Sequence, residues 1–81
     1  MKIRITIKDG VCQDNIHEIG QEFIVGETTP AGMCTGAWGA IFPYFLTLLC
    51  GGNFAWEKEK GVATLRCPDP NGITLELRRI G

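Results

Sequence analysis

The sequence predicts an α+β domain of the order β-β-α-β-β. An antiparallel four-stranded sheet carries, on one face, an apolar helical segment that a proline interrupts into two short helices. Three observations lead there. Apolar residues alternate with polar ones near both ends of the chain, the middle is apolar at helical spacing, and glycine, proline and asparagine punctuate the joins. At 81 residues the chain makes one domain, spanning 1–81, with a core small enough that an added staple is expected.

The first strand is read from Ile3, Ile5 and Ile7, which share one face, while Lys2, Arg4, Thr6 and Lys8 share the other. Asp9-Gly10 ends it as a turn signal. A second alternating run places Ile19, Phe23 and Val25 on one face and Glu18 and Glu22 opposite, with Gly20 as a bulge or a close backbone approach. The two runs form a long-looped antiparallel hairpin.

From Thr28 to Trp56 the chain carries no charged residue. Pro30 suits a first helical turn capped by Thr28 or Thr29. Pro43, deep in the pattern, lacks an N–H and clashes with the carbonyl four residues back, which predicts two helices, Pro30 to Ile41 and Pro43 to Leu49. Gly51-Gly52 terminates the second. Trp38, Ile41, Phe42, Phe45, Leu48 and Leu49 fit one broad apolar face and read as core. The part from Met33 to Cys50 is long enough to cross a bilayer. Gly36, Gly39 and Pro43 argue against that, as do flanking amphipathic strands that need a sheet partner.

The segment from Gly51 to Gly61 is a connection in which Glu57, Lys58, Glu59 and Lys60 make a solvated turn. A last hairpin joins Val62 to Cys67 with Ile73 to Arg79 through Pro68-Asp69-Pro70-Asn71-Gly72. In its second strand Ile73, Leu75 and Leu77 face inward and Thr74, Glu76 and Arg78 outward.

Composition excludes several functions. The net charge is −1 and the aromatic residues are not interleaved with basic ones, so nucleic acid is not an expected partner. There is no phosphate-binding glycine loop, and without a single serine no serine triad exists. The start of the chain alternates charge with isoleucine and cannot act as a secretory signal, so a cytoplasmic location with reduced thiols is expected. Whether a small molecule binds is left open by the sequence.

What remains is sulfur and one imidazole. Cys12, His17, Cys34 and Cys67 make a Cys₃His set, the number and softness that suit tetrahedral zinc or an iron–sulfur unit. No Cys-x-x-Cys knuckle supports it. A competing reading treats the cysteines as small buried hydrophobes. Topology bears on the choice. If the first strand rises and the third descends, Cys12 and His17 lie at one end with Cys50, and Cys34 and Cys67 at the other. A single site then requires one connection, Gly26 to Gly32 or Gly51 to Gly61, to run the length of the sheet. The split arrangement suits a thiol redox protein, with Cys34 activated at a helix start and Cys67 resolving it.

The whole chain also resembles a family of small bacterial and archaeal proteins. The resemblance rests on Cys12, His17, Gly20 and Phe23, on Thr29-Pro30-Ala31-Gly32-Met33-Cys34, and on Ala40-Ile41-Phe42-Pro43-Tyr44. Gly51-Gly52, Trp56 and Cys67-Pro68-Asp69-Pro70 complete it. Ile16, Gln21 and Ala55 depart from the pattern, and Cys50 matches none of its cysteines and reads as core. The resemblance implies no activity. It singles out Cys12, His17, Cys34 and Cys67 as a shared site.

The favoured expectation is a metal-binding module, structural rather than catalytic, in which the metal is the staple of a short chain. The alternatives are the thiol enzyme and a metal-free interaction module. The apolar run from Thr28 to Trp56 offers more surface than one sheet face covers, which predicts a two-fold homodimer. In the competing account the Gly51 to Lys60 segment folds over the helix with Phe54 and Trp56.

Overall fold

The computed structural model describes residues 2–10, 18–33, 35–66 and 72–80. Strands β1 (Ile3–Asp9) and β2 (Glu22–Val25) are followed by helix α1 (Thr35–Leu49) and by β3 (Val62–Arg66) and β4 (Thr74–Arg79). The sheet order is β2-β1-β4-β3, antiparallel throughout. The α+β class, the strand order along the chain and the helix on one face are as the sequence predicts.

Alternation sets the two faces. Ile3, Ile5, Ile7, Val25, Ala63, Leu75 and Leu77 are buried beneath α1, which contributes Ala37, Ile41, Phe45 and Leu48 from one stripe at helical spacing. Burying an isoleucine or leucine of this kind stabilises the fold by about 1.5–3 kcal/mol, so this layer is the main source of cohesion. The helix lies over β3, β4 and β1.

Three local expectations are corrected. One continuous helix replaces the two short ones, and it begins at Thr35 rather than Pro30. Pro43 and Gly39 are both exposed, so the hydrogen bond that proline deletes lies where water replaces it, while the buried stripe runs on unbroken. Strand β2 starts only at Glu22. Ile19 is 65% exposed in a turn, held by Gln21 N–H donating to Glu18 O at 3.1 Å. Phe42 is 43% exposed on the outer side of the helix and is not core.

The two ends of the sheet differ. At one end β4 finishes beside the start of β1, with Arg79 opposite Ile3 and Arg78 opposite Val62. The helix finishes there too, because Arg79 Nη1 donates to Leu48 O at 2.9 Å. The last helical turn closes with Gly51 N–H on Leu48 O and Gly52 N–H on Thr47 O. Gly51 holds φ +93° as this closure demands. At the other end Asp9 and Arg66 flank Thr74.

Candidate functional site

The four residues that the sequence nominates, Cys12, His17, Cys34 and Cys67, all lie outside the described residues, as does the turn 67–71. Their chain neighbours are described, and the register of the sheet orders those neighbours.

Strand β3 runs antiparallel to β4, which runs antiparallel to β1, so β3 rises alongside β1. Arg66, which precedes Cys67, and Asp9, three residues before Cys12, therefore sit on either side of Thr74 at the same end. The backbones that continue from them touch. A Cβ built on Gly10 would lie 2.5 Å from Gly72 O and 2.9 Å from Ile73 Cα, so only glycine fits. Gly10 holds φ +91°, and its N–H donates to Asp9 Oδ1 at 2.7 Å. The first connection returns to the same end, since Gly20 N–H donates to Ile7 O at 2.7 Å and Ile7 N–H to Gln21 O at 2.9 Å.

The C-terminal turn of α1 is fixed at the opposite end by Arg79, and a 15-residue helix rises about 22 Å. Thr35, next to Cys34, stands that far from the Arg79 end, and Met33 packs against the core. β2 ends beside Ile3, so the chain leaves the sheet at the end where α1 terminates. A descending third strand, on which the split into two pairs depended, is not what forms. Cys50 is also corrected: it is exposed, and it belongs to the helix C-terminus at the far end.

Among the described residues no group of three or more histidine, cysteine or acidic side chains is placed to hold a metal ion. Among the same residues no helix is long and apolar enough to cross a membrane.

The sheet's open face carries a groove that sequence reasoning missed. It has a volume of about 340 Å³ and is walled by Trp56, Glu57 and Glu59 from the 51–61 connection and by Thr64, Glu76 and Arg78 from the sheet. Reading Glu57 to Lys60 as a solvated turn hid this, because the connection folds over β3. Glu57 Oε2 accepts the Thr64 N–H at 2.9 Å, and Glu59 Oε2 meets Arg78 Nη1 at 2.7 Å. The hydrogen bond that Arg78 donates to Glu59 is the main reason the Arg78 guanidinium is held above its usual range. Desolvation opposes it, and the charges of Glu59 and Glu76 add to it. Arg78 also reaches Glu76 at 3.4 Å, and Lys8 stands 3.8 Å from Glu76. The groove's charges are therefore engaged mainly with one another, which suits a folded connection better than a ligand site. The legible signal was the outward alternation of Thr74, Glu76 and Arg78 opposite a mixed-charge run.

Compared with protein-family models, with curated proteins and with solved structures, the chain matches none.

Proposed function

We propose that this chain is a metal-binding module of the cytoplasm whose ligands are Cys12, His17, Cys34 and Cys67, with zinc or an iron–sulfur unit as the bound group. The observation that supports the reading is the convergence of the neighbouring residues. Gly10, Arg66 and Gly72 come to one end of the sheet, so chain neighbours of Cys12 and Cys67 stand close together, as a shared centre needs. The residue types suit the chemistry: three thiolates and one imidazole fill a tetrahedral shell with no position left for substrate, which favours a structural role over a catalytic one.

Elemental analysis of untagged, freshly purified protein tests this. About one zinc or iron equivalent per chain is expected, with visible absorbance separating an iron–sulfur unit from zinc. Less than about 0.2 metal per chain in a folded sample rejects the reading. Iodoacetamide labelling of Cys34 against pH then addresses the thiol-enzyme alternative, which requires an apparent pKa well below about 8.5.

A compatible second reading concerns assembly. Phe42 and Leu46, 43% and 44% exposed, lie on the outer side of a helix in a stretch free of charge. Phe54 packs beside Tyr44 at 5.7 Å and covers one flank of the helix, but this pair stays open. Two copies joined through that face, around a two-fold axis, account for it. Light scattering at micromolar concentration decides: a mass of 8.9 kDa that persists on concentration removes the dimer.

A further inference from the structure

We propose that the outer edge of β2 pairs with the same edge of a second copy, antiparallel about a two-fold axis at Phe23, so that Arg4 of each copy meets Glu22 of the other. Two four-stranded sheets then become one of eight strands. The inference does not depend on the metal reading. It also uses a surface other than the outer side of α1, because the helix lies over β3, β4 and β1 and not over β2.

The two edges of the sheet are finished differently. β3 and β2 are the outer strands. On β3, Glu57 from the 51–61 connection accepts the Thr64 N–H at 2.9 Å, so an incoming strand cannot take that donor. On β2, Ile7 N–H donates to Gln21 O at 2.9 Å, and the pairing continues as Thr6 with Glu22, Ile5 with Phe23 and Arg4 with Ile24. The alternation of an antiparallel ladder therefore turns the N–H and C=O of Glu22 and Ile24 away from β1. Among the described residues no strand pairs with that side. Ile24 is 55% exposed there.

Arg4 supplies the charge argument. It stands beside Ile24 on β2 and opposite Arg78 on β4. Arg78 is neutralised by Glu59 at 2.7 Å and Glu76 at 3.4 Å. No carboxylate pairs with Arg4 among the described residues, and its Nε is buried with no hydrogen-bond partner. A guanidinium in that position, facing a like charge, calls for an acceptor. Glu22 is exposed and accepts the Thr6 hydroxyl only at 3.5 Å.

Pairing centred on Phe23 brings the two together. Ile24 of one copy then stands opposite Glu22 of the other, and each such pair exchanges two backbone hydrogen bonds. Arg4 and Glu22 of the second copy lie in one row on the sheet's open face, with Ile24 between them. Their Cα atoms are about 10 Å apart, a gap that two long side chains span together. The two-fold axis makes the pair occur twice. Charge also selects the register. An axis at Glu22 sets Glu22 against Glu22, and an axis at Ile24 puts both Arg4 residues in one row without a carboxylate.

The test is the mass of the full reduced chain against concentration, by sedimentation or light scattering, with circular dichroism to check folding. Arg4→Glu and Glu22→Arg each place like charges across the axis, and each alone is expected to self-associate about tenfold or more weakly than wild type. Mixed in equal amounts they are expected to associate to twice the 8.9 kDa of one chain, since each carries the sign the other lacks. A contact within one chain cannot produce that rescue. A mixture that associates no better than its components overturns the proposal. Ile24→Pro removes a donor that points away from the sheet, and is expected to keep the fold and lose the pairing. Should it fail to fold, the mixing experiment stands alone. Association that is lost in Leu46→Ala but kept in both charge variants belongs to the outer side of α1 and overturns the pairing through β2. A wild-type chain that stays monomeric up to about 1 mM overturns it as well.

Discussion

Arg79 and Leu48 are 31 residues apart in the chain, yet the Arg79 guanidinium donates to the Leu48 carbonyl at 2.9 Å. The same nitrogen reaches Gly52 O at 2.8 Å, and Nη2 reaches Asn53 Oδ1 at 2.7 Å, which also accepts the Gly61 N–H. A single charged side chain at the end of β4 thus adds a donor to Leu48 O, which also accepts the Gly51 N–H, and supplies one to Gly52 O just past the helix. It also ties the start of β3 to both. A cation in that position is favoured by the helix dipole as well.

Arg79→Ala is therefore expected to lower stability by about 2–3 kcal/mol, the scale of charged hydrogen bonds lost at partly buried carbonyls. Arg79→Lys recovers only part of it, because an ammonium does not reproduce the planar fork that spans Leu48 O, Gly52 O and Asn53 Oδ1. Urea denaturation of the three proteins gives the comparison. An alanine variant within about 0.5 kcal/mol of wild type contradicts the account.

Pro43→Ala has the opposite sign. Proline in a helix interior is about 3 kcal/mol worse than alanine, and here it sits on the exposed side of α1, where no packing depends on its ring. The substitution restores a donor for the carbonyl four residues back, and a gain of about 1–3 kcal/mol is expected. An unchanged or lower midpoint in thermal or urea unfolding shows instead that the ring shapes the helix to fit the sheet.

Two substitutions on α1 separate its faces. Ile41 is fully buried between sheet and helix, and Ile41→Ala is expected to cost about 2–5 kcal/mol. Leu46 is 44% exposed, and Leu46→Ala in the monomer is expected to cost less than about 1 kcal/mol. If the two helices of a dimer meet on this face, the Leu46 change shows its effect in the association constant rather than in the unfolding of dilute protein.

The proposed metal centre would carry a pH dependence whose direction is fixed by its ligand types. Thiolates and neutral imidazole bind metal, so uptake releases protons and affinity falls as pH falls. Chelator competition at about pH 8 and about pH 6 is expected to show markedly weaker zinc binding at the lower value, and Cys67→Ser is expected to weaken both. An affinity independent of pH points to ligands other than these thiols.

The alternation of Ile3, Ile5 and Ile7, and of Leu75 and Leu77, settled by itself which strands exist and which faces turn inward, because a period of two leaves one arrangement that buries the apolar set. The helical spacing of Ile41, Phe45 and Leu48 was equally local and equally readable, whereas Ala37 was not picked out. Only the tertiary structure decided which strand stands beside β1. That choice depends on β4 entering between β1 and β3, and it determines that Arg66 ends where Asp9 ends rather than at the far side. The place of α1's C-terminus was likewise invisible in the sequence, since it is held by Arg79 meeting a carbonyl distant in the chain. Pro43 illustrates the same limit: its local rule predicts a break, and burial of the stripe on the opposite side of the helix overrides it. Gly10 reads in the sequence as half of a turn signal. Its necessity comes from Gly72, a residue that only folding brings against it.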